Sequence, residues 1–482
     1  MKKKSLKLNY FYNLSMLLLN LLFPLITAPY ISGILGANNI GKVNYANAIS
    51  NWFILVASFG IPTFGIREIA KNRDNKTNLS KTFWDLIIIK AIFSVIALVI
   101  YTAIILLNKA FREEVMLYLV MSIAIFLNIF SIDWFYQGVE EYGYITLRNL
   151  IIKLVSLILI FVSVKNRNDY VIYALISIFA LTFSNILNYI NVKKYVYLNI
   201  SKVDFKYYFL NLKIFFVSSL IISIYSQLDQ IILGAISDKK SLAYYVRSRQ
   251  IVNIGISLTN AFSTVLIPKV SYLFRENYSE YKKLLQKSIN YIYLIALPTT
   301  VGLFMLSKEV SYLFGGNEFL PASKSIFLTS FLVVIVSLGT WQYNQIFLPA
   351  GNEKFGLKIQ CFVAIINVVF NIILIPKFSY IGTCIAILCA ELFGTIIGSF
   401  YVKLKYKELK IQYITNSFII YLISSIIMGI FILFIQSFDN KYYMNLLLSL
   451  IFSPLIYGIS TIIFRDNISI EIIKVTLKKI KG

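Results

Sequence analysis

Fourteen long apolar runs, each bounded by charged or turn residues, follow one another along the 482-residue sequence. They lie near 11–33, 43–66, 83–107, 115–136, 149–164 and 170–191. After a polar stretch at 192–213 they resume near 214–235, 243–268, 288–307, 325–348, 359–376, 380–400, 415–436 and 443–463. A helix needs about 20 apolar residues to cross a bilayer. A chain that is 58% hydrophobic holds enough for about fourteen such helices, well above the apolar share of a soluble domain. With no water in the bilayer core, each spanning segment must close its backbone hydrogen bonds internally. The runs therefore predict an all-α polytopic membrane protein of about 14 transmembrane helices. The first run is too long for a cleaved signal, carries Pro24 and Pro29, and leads straight into another span.

Charge gives the orientation. Lys and Arg number 46 against 22 Asp and Glu. With the N-terminus inside, 31 of the 46 fall on inner segments, beginning with Lys2, Lys3, Lys4 and Lys7 and ending in the tail after Arg465. Acidic residues show a much weaker bias, as expected when basic residues near span ends set the topology. Both termini are expected on the cytoplasmic side, and the net charge of +24 reads as an orientation device without a nucleic-acid partner. The same basic side attracts anionic headgroups.

Composition excludes several chemistries. There is no His, which removes His general bases, His metal sites and Ser-His-Asp triads. Cys361, Cys384 and Cys389 lie in apolar runs with neither the spacing nor the setting of a zinc site or disulfide framework. No metal or cofactor is expected. The outer loops are short, the longest near 308–324, so no catalytic domain fits outside. An enzyme acting on lipid-linked sugars would need carboxylates or Arg clustered there; Arg112-Glu113-Glu114 comes nearest and reads as a solvated turn.

Two short matches relate the halves. Ile34-Leu35-Gly36-Ala37 recurs as Ile232-Leu233-Gly234-Ala235, with Tyr45 corresponding to Tyr245 after a two-residue insertion. Gly138-Val139-Glu140-Glu141-Tyr142-Gly143 corresponds to Gly351-Asn352-Glu353-Lys354-Phe355-Gly356. Both matches are six spans apart, which implies a duplicated six-helix unit in parallel orientation. The expected organisation is an N-lobe at 1–191, a cytoplasmic linker at 192–213, a C-lobe at 214–400, and spans 13 and 14 with a basic tail at 401–482.

The segment from Pro24 through Pro29 and Tyr30 to Gly36, then Phe59-Gly60-Ile61-Pro62 with Gly65, Arg67, Glu68 and Ala70, resembles the Wzx-type oligosaccharide flippases of bacterial O-antigen and capsule synthesis. So does Asp133-Trp134-Phe135-Tyr136-Gln137-Gly138-Val139-Glu140, followed by Arg148. Leu228-Asp229-Gln230, with Gly234 and Tyr245, is similar to that family's second half. The resemblance implies a MATE-like fold of the MOP superfamily, two six-helix lobes around a cavity lined by spans 1, 2, 7 and 8. It also implies movement of an undecaprenyl-diphosphate-linked oligosaccharide from the inner to the outer leaflet of the bacterial cytoplasmic membrane, for O-antigen, lipopolysaccharide or capsule. A polymerase and other polysaccharide-assembly proteins are the implied partners. A lipid II flippase and a MATE-type small-molecule antiporter remain alternatives. Against the first, no Arg lies between residues 8 and 66; against the second stands the extra helix pair.

Moving a polar headgroup needs polar faces inside apolar helices. Span 2 supplies Asn44, Asn47, Asn51 and Ser58 on one stripe. Span 1 supplies Asn13, Asn20, Pro24 and Thr27, and span 7 Ser219, Ser223, Ser226 and Gln230, with Gln227 beside them. Asn and Gln both donate and accept, which suits sugar hydroxyls. The same stripes also serve as interhelical glue, and span 11 has a comparable set in Gln360, Asn367 and Asn371. In span 8, Arg249 shares a face with Asn253 and Asn260 and is the preferred contact for a diphosphate or acidic sugar. Arg247, about 200° away around the helix, is expected to snorkel outward. Lys42, Lys90 and Lys153 read as anchors, and Trp134 as part of an interfacial belt. The intramembrane carboxylates Asp133, Asp229 and Glu391 are candidates for ion coupling, with Asp229 equally suited as a counter-ion to an Arg of span 8. Pro24, Pro29, Pro62 and Pro298 mark expected bends.

Overall fold

The structure, a computed structural model, describes residues 6–199, 203–438 and 441–471. Lys2, Lys3, Lys4 and the basic tail from 472 lie outside these. No strand occurs among the described residues. Sixteen α-helices lie wholly among them: α1 Leu6–Ser58, α2 Ile61–Asn72, α3 Lys76–Leu107, α4 Val115–Leu127, α5 Asp133–Gly138, α6 Tyr142–Ser163, α7 Tyr170–Asn191, α8 Phe205–Ile236, α9 Lys239–Glu276, α10 Tyr278–Met305, α11 Ser307–Leu313, α12 Ala322–Thr329, α13 Leu332–Gln342, α14 Glu353–Lys405, α15 Asn416–Gln436 and α16 Tyr442–Ile463. A π-turn, Tyr343–Phe347, extends α13.

Twelve helical segments among the described residues are long and apolar enough to cross a membrane. Two of them, Phe23–Asn72 and Glu353–Lys405, hold 50 and 53 residues, and each contains a non-helical residue, Gly36 and Ser379. Each therefore covers two of the expected runs, and fourteen crossings are accounted for.

Three expected spans are interrupted: the fourth (115–136) between α4 and α5, the tenth (325–348) between α12 and α13, and the second near its end. The second run was expected to continue to residue 66, but its helix ends at Ser58 and α2 starts afresh at Ile61. Gly60 adopts φ 76°, and a Cβ there would lie 2.7 Å from the Phe216 backbone nitrogen and 2.8 Å from the Leu212 carbonyl oxygen. The chain breaks where α8 passes against it, at a position open only to glycine. Pro62 sits at the start of the new helix, where its missing N–H costs nothing; it begins a helix where a bend had been expected.

The chain forms two compact units, Met1–Gly234 and Ala235–Gly482. In the first, α1 packs on α3, α4 and α6, α4 on α7, and α2 on α5. Its core gathers Phe59, Phe64, Phe83, Trp134, Phe135 and Tyr136. The first turns of α8 belong to this core through Tyr208 and Leu212. In the second unit α9 packs on α10, α12 and α13, and α13 on α14. The last pair is attached through α15, which lies on α10, while α16 lies on α15 and α11. Apolar side chains such as Val99, Leu147, Leu181, Ile430 and Leu450 remain exposed, as expected for helices whose outer surface meets acyl chains.

The second of the internal sequence matches is out of register in the structure. Each connection turns on a left-handed residue, Glu140 (φ 61°) and Gly351 (φ 65°), closed by the same kind of bond. Glu141 N–H donates to the Tyr136 carbonyl and Asn352 N–H to that of Phe347, both at 2.8 Å. Aligning these turns pairs Glu140 with Gly351, two residues from the pairing that the glycines suggest.

Candidate functional site

Helix α9 has two different faces. Asp238 caps its start, accepting the Ser241 N–H at 2.6 Å. Arg247, Ile251 and Gly255 share a buried face that packs within the second unit. A Cβ on Gly255 would lie 2.8 Å from Thr299 and 3.2 Å from Val333. On the same side Ser248 donates to the Ala322 carbonyl at 3.2 Å, and Thr259 bonds Ser337. Arg247 thus does not snorkel as expected: it is buried, and its Nη1 donates to Gln250 Oε1 at 2.8 Å. Further along the same face, at Gly255 and Thr259, α13 covers it.

The other face carries Arg249 and Asn260, half-buried, and Gln250, Asn253 and Thr264, exposed. Ser257 and Thr264 donate back to the Asn253 and Asn260 carbonyls at 2.7 and 2.9 Å, which occupies their hydroxyl donors. Asn260 Oδ1 is buried without a hydrogen bond. From Arg249 to Thr264 the stripe runs about 22 Å at 1.5 Å per residue. Gln250, Ser257 and Thr264 belong to it and were not singled out from sequence, although their i, i+7, i+14 spacing carries the signal.

In the first unit Asn47 is exposed and Asn44 and Asn51 are half-buried, so this amide stripe is accessible too. It ends at Ser58, whose hydroxyl accepts from Asn128 Nδ2 at 3.1 Å and ties α1 to the turn after α4. Gln227 and Gln230 are half-buried on α8, and Asp229 is buried, one of its oxygens accepting the Gln230 N–H at 2.7 Å. The side chains of Asn13 and Asn20 lie outside the described residues. Glu391 is buried in α14.

Asp133 lies in a cluster that sequence reading did not foresee. Arg148 Nη2 donates to Asp133 Oδ1 at 3.0 Å and Asn188 Nδ2 donates to the same oxygen at 2.5 Å. Lys90, expected as an anchor, is 1% exposed and donates to the Ser131 carbonyl at 2.5 Å. Lys153 is half-buried, 5.6 Å from the centre of the Phe23 ring, and Lys42 pairs with Glu114 at 2.5 Å. Trp134 is buried, so it is no interfacial belt residue. A Cβ on Gly65 would lie 2.5 Å from its ring, and one on Gly138 2.7 Å from Ile69. The two stretches that carry the flippase resemblance thus notch into each other across α2 and α5. The ion pair of Arg73 with Glu140 at 2.6 Å closes the same joint, the Glu140 side chain holding the guanidinium even more firmly protonated.

The second unit also has a polar cleft of about 990 Å³ lined by Glu309, Gln436, Asn445, Tyr312, Tyr442 and Tyr443, among others. Gln436 Nε2 donates to Glu309 Oε1 at 2.8 Å, while Glu309 Oε2 and Asn445 Oδ1 are buried without a hydrogen bond. Among the described residues no three His, Cys, Asp or Glu side chains gather in a way that could hold a metal.

A family model described as "Polysaccharide biosynthesis protein" matches residues 6–274, and one described as "MatE" matches residues 215–373. The Escherichia coli (strain K12) protein named "Putative O-antigen transporter" is 25% identical over 406 residues, covering 83% of this chain and 97% of that protein. The Staphylococcus aureus "Capsular polysaccharide biosynthesis protein CapF" is 24% identical over 373 residues, covering 75% and 90%. Among solved structures, that of a lipid II flippase MurJ in an inward closed conformation matches with a TM-score of 0.76 at 17% identity, covering 94% of this chain and 98% of that one. At that identity the likeness is one of fold.

Proposed function

The chain belongs to the polysaccharide biosynthesis protein family, and from that premise we propose that it translocates a lipid-linked oligosaccharide across a membrane. The resemblance to Wzx-type flippases is borne out by that membership and by the O-antigen and capsule names of its relatives. The proposed cargo is an undecaprenyl-diphosphate-linked repeat unit, moved from the inner to the outer leaflet of a bacterial cytoplasmic membrane by alternating access, with both termini cytoplasmic. The protein is a transporter in this reading, without a catalytic step of its own, and it hands its cargo to a polymerase and other assembly proteins.

The observation that carries the reading is the divided surface of α9. One face is packed into the second unit, and the other keeps Asn253 exposed and Arg249 and Asn260 partly exposed within a membrane-spanning helix. An apolar helix gains nothing from accessible amides facing lipid. Amides suit sugar hydroxyls, which need both donors and acceptors. Arg249 supplies the planar fork that grips a diphosphate or carboxylate. The accessible amides Asn44, Asn47 and Asn51 of α1, and Gln227 and Gln230 of α8, offer the same chemistry in the first unit. Asp229 and Glu391 are the buried carboxylates best placed for ion coupling. Asp133, clasped by Arg148 and Asn188, has a structural task already.

Export in a deletion strain complemented with variants tests this. Arg249→Ala is expected to lower surface polysaccharide at least about tenfold, the loss of about 1.4 kcal/mol of a charge-assisted contact, with lipid-linked repeat units accumulating. Arg249→Lys should fall between, since an ammonium keeps the charge and loses the fork. Wild-type export from both variants would reject the role of Arg249, and normal surface polysaccharide in the deletion strain would reject the function.

A further inference from the structure

The second unit holds another concavity, unlike the polar ones. The last turns of α14, the connection to α15, and α10 and α13 enclose a cleft of about 1070 Å³. Its body is apolar, walled by Val334, Leu338, Leu392, Ile396, Phe400 and Ile414. Phe400 and Ile414 are 62% and 71% exposed, so the slot opens sideways, where acyl chains lie.

Polarity changes along the slot in one direction. On α14, Thr395, Ser399 and Lys403 follow at four-residue steps and all line it, one above another on a single face. Lys407 and Lys410 join Lys403 at that end, all three exposed. No Asp or Glu is among the described residues that line the cleft. The order of apolar wall, hydroxyl layer and cationic rim is that of a phospholipid read from chain ends to phosphate.

The rim is also held in place. Gln286 Nε2 donates to the Gln412 carbonyl at 2.9 Å and Gln412 N–H donates to Gln286 Oε1 at 3.1 Å. Thr415 caps α15, accepting the Phe418 N–H at 3.0 Å, and donates to Asn290 Oδ1 at 2.9 Å. Lys410 itself takes a left-handed conformation, φ 46°, which is strained for a residue with a side chain and persists only where its surroundings fix it.

We propose that this cleft binds one anionic phospholipid, its phosphate on Lys403, Lys407 and Lys410 and its acyl chains in the apolar slot. Basic pockets between membrane helices bind such headgroups, and each lysine near an anionic phosphate contributes by charge. The site is independent of the cargo reading.

The test is native mass spectrometry of the purified full chain in neutral detergent, titrated with phosphatidylglycerol and with phosphatidylcholine. Wild type should retain one phosphatidylglycerol in preference to phosphatidylcholine. The triple variant Lys403→Gln, Lys407→Gln, Lys410→Gln should weaken phosphatidylglycerol about 100-fold and leave phosphatidylcholine unchanged. The corresponding triple Arg variant should keep the lipid, which controls for folding, and Ile396→Trp, filling the slot, should weaken it with the lysines intact. Equal retention of the two lipids, or an unchanged affinity in the Gln variant, overturns the proposal. So does displacement of phosphatidylglycerol by excess inorganic phosphate, which would make this a free-anion site, or by equimolar undecaprenyl phosphate, which would make it a carrier site.

Discussion

At the scale of single residues, the most sensitive positions are those where one side chain fills the space another gives up. Trp134 occupies the room left by Gly65, and Ile69 that left by Gly138. Gly65→Val would place methyl groups inside the indole ring and is expected to cost about 1–3 kcal/mol, read as a lower midpoint of thermal unfolding in detergent. Arg148→Met removes the partner of Asp133 and should cost about 3 kcal/mol, the low end for a broken buried pair, because the Asp133 side chain keeps 31% exposure. These residues were visible in the sequence as parts of a recognisable motif. Their task was not, because a motif lists neighbours along the chain, whereas Gly65 and Trp134 meet across two helices. The Arg247 and Arg249 assignment shows the converse. Helical spacing alone separated their faces, but it did not show which face α13 covers.

At the scale of elements, apolar periodicity located the spans well and their breaks poorly. A run of apolar residues looks the same whether its helix continues or turns, and the turn at Gly60 depends on α8 passing so close that a Cβ there would lie 2.7 Å from the Phe216 backbone nitrogen, a fact of the fold. The two long helices offer a matched comparison. α1 departs from helical geometry at Gly36, at φ 72° and ψ 168°, and α14 at Ser379, at φ 51° and ψ −133°. A glycine holds the first without strain. At the second, a residue with a side chain is held by its hydroxyl, bonded to Ser241 at 2.8 Å and Ser237 at 2.5 Å. Ser379→Ala loses the bonds and keeps the strain, whereas Ser379→Gly loses the bonds and relieves the strain, about 1–3 kcal/mol. The Ala variant should therefore be the less stable of the two in a thermal melt, and the reverse order would show that the conformation is not strained.

At the scale of the whole molecule, the internal sequence match and the compact units divide the chain at different places. The internal match makes α8 the first helix of the second copy, yet its opening turns pack into the first unit, where Tyr208 Oη donates to Asp85 Oδ2 at 3.2 Å and Phe215 meets Phe64 edge-on at 5.8 Å. Co-expressed fragments 1–237 and 238–482 are accordingly expected to restore export better than 1–203 and 204–482, with surface polysaccharide as the readout; equal recovery would mean that α8 folds with either half. Hybrids between relatives should obey the same geography. A crossover placed in the polar stretch before α8, where the repeat has its seam, would give one parent's helix to the other parent's Gly60 notch. A crossover after Ile236 keeps that helix with the partners it was selected against, and it is there that exchanged halves should yield working chimeras.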